Sequence, residues 1–171
     1  MSGRPREFDE LAVLDAAMVL FWEQGYEATG IAELSDRCGI GRQSMYNAFG
    51  DKKALYMQAL DRYSCERLGG IVDLLEAPGS PLDNVRALLG AWEANWEDPE
   101  FRGCLMVNSM AELGVRDLEI KTQLDRMLQK MEDAIYNALH RAQEQGELPV
   151  DRDARALART ITITGQGLAV V

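Results

Sequence analysis

Apolar residues recur along most of the chain at spacings of three and four, which is typical of helices packed on one face. The first such run is Leu11, Leu14, Met18 and Phe21. The last begins near Asp151 and has the positions Ala154, Leu157, Ile161, Thr164, Leu168 and Val171. No segment shows the alternation of a strand or an internal repeat. The pattern therefore predicts an all-α fold.

Glycine and proline divide the pattern into helices. Gly25 ends the first helix, a second begins at Thr29 or Gly30, and Gly39 separates it from a short helix over residues 42–49. A longer helix follows Gly50 and extends toward Glu76, weakened or kinked at Gly69-Gly70. These breaks predict three short helices and then a long one.

The second part of the chain begins after the linker Ala77-Pro78-Gly79-Ser80-Pro81. Ser80 suits the cap of the next helix and Pro81 its first position. Further helices are predicted up to Asp98, around 101–113, from Asp117 to Gly146 and from Asp151 onward. The last run stops in mid-pattern, so we expect residues beyond Val171, with a further helix among them.

Composition limits the class of protein. The chain has 171 residues, of which 47% are hydrophobic and 27% charged, as in an ordinary globular protein. It has neither a signal peptide nor an apolar run of about 18 residues that would span a membrane. Its three cysteines are widely separated, which fits a reducing cytosol. We therefore expect a cytoplasmic protein that makes no contact with a membrane.

Charge alone leaves nucleic-acid binding open. The net charge is −10, whereas DNA-binding domains are usually basic. The acidic excess lies mainly after residue 63, and the run from Gly39 to Gly50 contains no acidic residue. Local clusters of positive charge decide DNA binding, since screening by salt limits the reach of each charge to about 10 Å.

Residues 31–50 have the pattern of a helix-turn-helix. Gly39 supplies the positive φ that a tight turn between two crossing helices requires. Small or apolar residues occupy the positions at which the helices would touch. The outward positions of the second helix can donate hydrogen bonds to base edges and phosphates, and they are Arg42, Gln43, Ser44, Tyr46 and Asn47.

Several spaced features together resemble the TetR family of transcriptional repressors. They are Gly25-Tyr26 with Ala28-Thr29, the Gly39-Ile40 turn, Tyr46, Phe49 and the segment Asp51-Lys52-Lys53-Ala54-Leu55, together with the tail Gly3-Arg4-Pro5-Arg6. The match covers about residues 3–63. Farther on, Gly103-Cys104-Leu105 to Glu112-Leu113 is similar to one branch of the family.

The resemblance implies a domain of residues 1–50 that binds double-stranded operator DNA. Arg42 and Gln43 would read guanine and adenine in the major groove. Tyr46, Lys52 and Thr29 would contact phosphates, and Ser44 and Asn47 share the exposed face. Arg4 and Arg6 would form a basic arm for the minor groove.

The sequence departs from the family pattern at three positions, and the last two affect the expected affinity for DNA. Ser35 replaces the usual alanine, and Gly41 stands where many members have a capping serine. Ala48 replaces a histidine that commonly contacts phosphate. An alternative therefore stays open, a helical interaction module that no longer binds DNA.

The resemblance also implies that residues 51–171 bind a small-molecule effector and form a dimer. Large adaptable side chains suit an apolar effector pocket, namely Trp92, Trp96, Met106, Met110 and Met127. Each could equally be plain core. Asn108, Glu112 and Gln123 are candidate polar anchors, and Cys104 is either a redox sensor or, more in keeping with its surroundings, a packing residue.

The C-terminal helix is the expected homodimer interface. Leu157, Ile161 and Leu168 form an apolar seam, and Gly165 beside it would admit a partner helix closely. Arg152, Arg155 and Arg159 lie on the opposite face. Two-fold symmetry is the commonest arrangement and suits a near-palindromic operator.

An enzyme is the remaining alternative class. We find no catalytic constellation, and His140 is the single histidine, which excludes a multi-histidine metal site. A carboxylate pair in the core is the only catalytic arrangement left open. The sequence therefore predicts no metal, cofactor or catalytic residue.

Overall fold

Helices account for the regular structure of the chain. The computed structural model describes residues 8–170, except for the side chain of Trp96. Within these residues it has eight helices and no strand, so the all-α prediction is confirmed. The helices are α1 (Glu10–Gln24), α2 (Ile31–Cys38), α3 (Arg42–Phe49), α4 (Lys52–Leu75), α5 (Pro81–Glu97), α6 (Leu105–Leu113), α7 (Leu118–Glu144) and α8 (Ala154–Leu168).

Short polar side chains start several of these helices by satisfying their free backbone N–H groups. The carboxylate of Asp9 accepts from the N–H of Leu11 at 2.9 Å at the start of α1. Ser80 accepts from the N–H of Asp83 at 3.0 Å, with Pro81 in the first turn of α5, as the sequence predicts. Gly25, at φ 83°, ends α1.

One predicted detail of the helices differs from the structure, namely the start of α6. α4 runs as one helix through Gly69 and Gly70, where the sequence predicts a weakening or a kink. α6 begins at Leu105 and not near Phe101, because Gly103 has φ 73° and cannot continue a right-handed helix.

The chain divides into two units that meet between Tyr63 and Ser64, inside α4. The first half of α4 belongs to the first unit because its aromatic side chains pack on α1. The rings of Phe21 and Tyr56 lie edge to face with centroids 4.8 Å apart, and those of Trp22 and Tyr63 are 5.1 Å apart. The boundary predicted after residue 50 therefore falls at the end of α3, whereas the packed unit continues to Tyr63.

The second unit has its own core between α4, α5, α7 and α8. Its buried members are Leu75, Val85, Leu88, Met131, Ile135, Ala138, Leu139, Ala154 and Ala158. Two polar contacts reinforce the ends of its helices. Arg141 donates to the carbonyl oxygen of Leu75 at 2.8 Å, and Glu147 accepts from Ser80 at 2.8 Å.

Ion pairs join α7 to α8 at the edge of this core. Arg155 donates to Asp133 at 2.5 Å, lies 3.5 Å from the Glu132 carboxylate and covers the ring of Tyr136. The hydrogen bond from Arg155 holds the pKa of Asp133 below its usual value. The same bond raises the pKa of the Arg155 guanidinium.

Candidate nucleic-acid interface

Helix α3 presents its polar side chains to solvent and its apolar ones to the first unit. Met45 and Phe49 are 1% and 4% exposed. The candidate DNA-binding side chains on α3 are all exposed, and they are Arg42, Gln43, Ser44, Tyr46 and Asn47. The helix is held by its apolar face, which leaves a continuous polar face without an acidic residue.

The turn that orients α3 contains a contact that the sequence did not reveal. Gly39 adopts the left-handed conformation, with φ 66°, as predicted. The hydroxyl of Ser35 donates to the carbonyl oxygen of Ile40 at 2.5 Å, on the far side of this turn. Ser35 therefore closes the turn internally where the family usually has alanine.

The start of α3 has the weakness that the sequence predicts. Gly41 occupies the cap position, and no side chain caps the helix there. The free backbone N–H groups at this end carry a partial positive charge. Arg42, the first residue of α3, lies beside them.

Two of the candidate base readers contact each other. The amide nitrogen of Gln43 donates to the amide oxygen of Asn47 at 3.0 Å, one turn along the exposed face. Gln43 keeps a second N–H and its oxygen, which are the donor and acceptor that adenine requires. The pair is therefore compatible with base reading.

Lys52 is held over the loop between α1 and α2. Its ammonium lies 4.4 Å from the centroid of the Tyr26 ring and donates to the carbonyl oxygen of Glu27 at 3.4 Å. Asp51 caps α4 beside it by accepting from the N–H of Ala54 at 2.8 Å. Tyr26 belongs to the motif that carries the family resemblance, but the sequence alone suggested no contact with Lys52.

Thr29 requires a correction. It is 0% exposed, and its hydroxyl donates to the carbonyl oxygen of Gly25 at 2.5 Å. In this arrangement the side chain is closed to a phosphate and holds the α1–α2 loop. Arg4 and Arg6, the candidate residues for the minor groove, lie outside the described residues.

The cysteine of this unit is part of its packing. Cys38 is half-buried, and its thiol donates to the carbonyl oxygen of Val13 at 3.6 Å. Burial raises the pKa of the Cys38 thiol, against a smaller lowering by Arg37. A thiol with a raised pKa is a poor nucleophile.

The candidate effector residues lie in the interior of the second unit. Met106 and Met127 are each 3% exposed, and Trp92 and Met110 are half-buried. The Trp92 ring packs on the backbone of Gly165. A cavity of about 250 Å³ opens between α4 and α7, with Leu75, Lys130 and Asn137 in its wall, but Trp92, Met106, Met110 and Met127 do not line it.

The amide oxygen of Asn108 and the hydroxyl of Thr162 are among the buried polar atoms of this unit that have no hydrogen-bond partner within the described residues. The amide nitrogen of Asn108 donates to the carbonyl oxygen of Arg102 at 3.2 Å, which fixes the orientation of its oxygen. Leaving such an atom unpaired costs about 1–3 kcal/mol. Thr162 was not predicted as a site residue, because in the sequence it looks like any other position inside a helix.

The candidate dimer residues on α8 face mainly into their own chain. Leu157 and Ile161 are half-buried against the core of the second unit, and Gly165 packs against the ring of Trp92. Leu168 is 37% exposed. Ile163 and Val170, at 61% and 56% exposed, are the more open apolar residues of this segment.

Comparison with known proteins agrees with this geometry. The family model "Bacterial regulatory proteins, tetR family" matches residues 13–59, and "Tetracyclin repressor-like, C-terminal domain" matches residues 81–170. The HTH-type transcriptional regulator YezE of Bacillus subtilis is 38% identical over 159 residues, which span 92% of this chain and 82% of YezE. The HTH-type transcriptional repressor ComR of Escherichia coli is 30% identical over 172 residues, 98% of this chain and 81% of ComR.

A solved structure gives the same result. The TetR family transcriptional regulator CifR, as a cysteine mutant complexed with 26-base-pair double-strand operator DNA, superposes with a TM-score of 0.85 at 30% identity. The superposition covers 97% of this chain and 87% of that one.

The fold and the exposed face of α3 define a DNA-binding transcription regulator of the helix-turn-helix type. The chain belongs to the TetR family of transcriptional regulators. Among the described residues, no helix combines the length and the apolar character needed to cross a membrane.

Proposed function

We propose that the protein is a homodimeric repressor that binds a near-palindromic operator and is controlled by a small-molecule effector. The observation that carries the proposal is the polar, acid-free face of α3, which is exposed over its whole length while Met45 and Phe49 hold the helix in place. A surface of this kind has no packing role, and it offers donors to bases and phosphates.

Base reading is assigned to the first residues of α3. Arg42 pairs bidentately with guanine, and Gln43, braced by Asn47, pairs with adenine. Ser44 lies beside them as a shorter donor and acceptor. These contacts discriminate between sequences, because each base pair presents a different pattern in the major groove.

Phosphate contacts set the position of the helix on DNA and carry no base identity. Tyr46, which is 44% exposed, donates its hydroxyl to one phosphate, and Lys52 holds another. Arg4 and Arg6 are proposed to reach the minor groove. Thr29 supports this surface from within the loop.

The dimer interface is proposed on the exposed face of α8. Residues Ala156, Thr160, Ile163 and Gly167 follow one another at helical spacing on α8 and are all exposed, as is Val170 just beyond the helix, which favours a second copy of α8 as the partner. Leu168 lies at the edge of this face. The dimer would place two α3 helices about one DNA turn apart, roughly 34–36 Å.

The effector site is proposed beside Trp92, Met106, Met110 and Met127, with Trp96 completing the set. The unpaired polar atoms of Asn108 and Thr162 favour a largely apolar compound that also carries a hydrogen-bond donor, because such a donor would remove the cost of leaving an acceptor buried and unpaired. The methionines suit an irregular ligand surface, since their side chains adapt to different shapes.

DNA binding is tested with the DNA that flanks the protein's own gene. Fluorescence anisotropy should give a dissociation constant of about 10⁻⁸ M or lower near physiological salt, and at least about 10³-fold weaker binding to scrambled DNA. Equal affinity for both DNAs would reject the repressor assignment and favour an interaction module.

Effector binding is tested by a compound screen that follows thermal stability and tryptophan fluorescence. A ligand at 100 times its dissociation constant should stabilise the protein by about 2.7 kcal/mol. The variants Trp92→Phe and Trp96→Phe assign the fluorescence change between the two tryptophans of the proposed site, because Trp22 also emits but lies in the first unit. A broad screen without a hit would favour a regulator that no ligand controls.

A further inference from the structure

Tyr26 lies under the ammonium group of Lys52, for which the proposed function gives a contact with a DNA phosphate. Its ring is fixed on two sides, since the Tyr56 ring centroid is 4.8 Å away and the Phe21 ring stacks on it at 6.3 Å. Tyr56 and Phe21 are each 1% exposed. The ring of Tyr26 is therefore a rigid platform built on the core of the first unit.

Lys52 is held on this platform by two contacts. The ring attracts the ammonium electrostatically at 4.4 Å, and the Glu27 carbonyl oxygen accepts a hydrogen bond from it at 3.4 Å. A lysine ammonium has three donors in all. The bond to Glu27 uses one of them, so the ammonium can still donate to a phosphate oxygen.

A free lysine side chain loses rotamer entropy when it binds a phosphate. A lysine whose ammonium is already fixed loses less. The Tyr26 ring also remains neutral, so it does not compete with the phosphate as a carboxylate would.

We propose that Tyr26 is a positioning residue for DNA binding, which fixes the Lys52 ammonium in the geometry that receives a backbone phosphate. The inference rests on the proposed role of Lys52. It makes the phosphate contact a joint property of the α1–α2 loop and the start of α4, because neither segment holds the ammonium alone.

The test is a double-mutant cycle with Tyr26→Leu and Lys52→Met, measured as operator affinity over a range of salt concentrations. Lys52→Met should make the slope of log K against log salt shallower by about 0.9 for each phosphate that the protein no longer neutralises. Tyr26→Leu should weaken binding about two- to fivefold and make the slope shallower in the same direction. In the Lys52→Met background, Tyr26→Leu should change neither quantity.

Tyr26→Phe keeps the ring and should bind like the wild type. Because Tyr26→Leu also removes contacts with Phe21 and Tyr56, a second series keeps the shape of the ring. Replacing the phenylalanine of the Tyr26→Phe variant by trifluorophenylalanine weakens the negative face of the ring while keeping its packing. The affinity for operator DNA should therefore fall from the first variant to the second.

Four results would overturn the inference. Equal weakening by Tyr26→Leu in both backgrounds would mean a structural role alone, as would an affinity that does not change with fluorination. Tighter binding by Tyr26→Leu would mean that the ring withholds Lys52 from DNA. An unchanged salt slope in Lys52→Met would remove the phosphate role of Lys52 itself, and with it the proposed contact.

Discussion

Gly165 of α8 lies directly against the indole ring of Trp92 in α5, with no room for a side-chain atom between them. A Cβ atom at position 165 would overlap three atoms of that ring. The close approach that a glycine permits is therefore used within the chain, and Trp92 is fixed as part of the packing between the two helices.

This contact predicts that Gly165→Ala destabilises the protein. The added methyl group should cost about 1–3 kcal/mol through overpacking. Gly90→Ala is the matched control, because Gly90 is helical and open, so alanine there should stabilise by about 0.5–1 kcal/mol. Urea unfolding measures both variants, and equal stabilisation by the two would contradict the contact.

The same contact shows where prediction from the sequence ends. The three- and four-residue spacing identifies α8 and its approximate start, because helical period is visible in one segment alone. Both faces of α8 carry apolar or small residues, so the spacing does not decide that Ile161 packs inward and Ile163 outward. That choice depends on neighbours such as Trp92, which come from distant parts of the chain.

For the candidate DNA-binding residues too, the sequence predicts some positions and not others. The exposed face of α3 follows from one amphipathic helix and is visible in the sequence. The burial of Thr29 and the contact between Tyr26 and Lys52 depend on how a loop folds against α4, which no local pattern encodes.

Ser35→Ala should lower the free energy of unfolding by about 1 kcal/mol, because it removes the hydrogen bond to the Ile40 carbonyl across the turn. The fold should persist, since Gly39 still provides the conformation of the turn. Ser44→Ala, on the exposed face of α3, is the control and should stay within about 0.5 kcal/mol of the wild type. Chemical unfolding followed by circular dichroism measures both, and equal stability of the two variants would show that the Ser35 contact contributes nothing.

The ion pair between Asp133 and Arg155 should make stability depend on pH. The bond from Arg155 lowers the pKa of Asp133 in the folded chain below its unfolded value. The stabilisation is therefore present above about pH 4 and is lost as the pH falls through the folded-state pKa. The effect should be small, because the pair lies largely in solvent.

Asp133→Asn should accordingly be less stable than the wild type at pH 7, and the difference should close in acid. Arg155→Met should show a similar pH-dependent loss and a further loss, because it also removes the contacts with Glu132 and Tyr136, and the double variant should be little less stable than Arg155→Met alone. Unfolding curves at several pH values measure this, and a difference that stays constant from pH 7 to pH 3 would exclude the pair as its cause.

The proposed dimer interface predicts that two neighbouring isoleucines behave differently. Ile163→Asp should give a folded monomer, because Ile163 is 61% exposed on α8 and only a partner would cover it. Ile161→Asp should instead reduce helical content or thermal stability, because Ile161 packs on the core of its own chain. Sedimentation and circular dichroism separate the two outcomes, and a dimer that survives Ile163→Asp would place the interface elsewhere.

The central claim is that the exposed face of α3 reads the operator, and the Arg42→Ala variant tests it most directly. Binding of the wild type and of this variant should be measured against a set of operators that carry every single-base change. The account predicts that Arg42→Ala loses its preference at one base position in each half-site, at a cost of about 1–3 kcal/mol, while preferences elsewhere are kept. Unchanged affinity and unchanged base preference in Arg42→Ala would contradict the account.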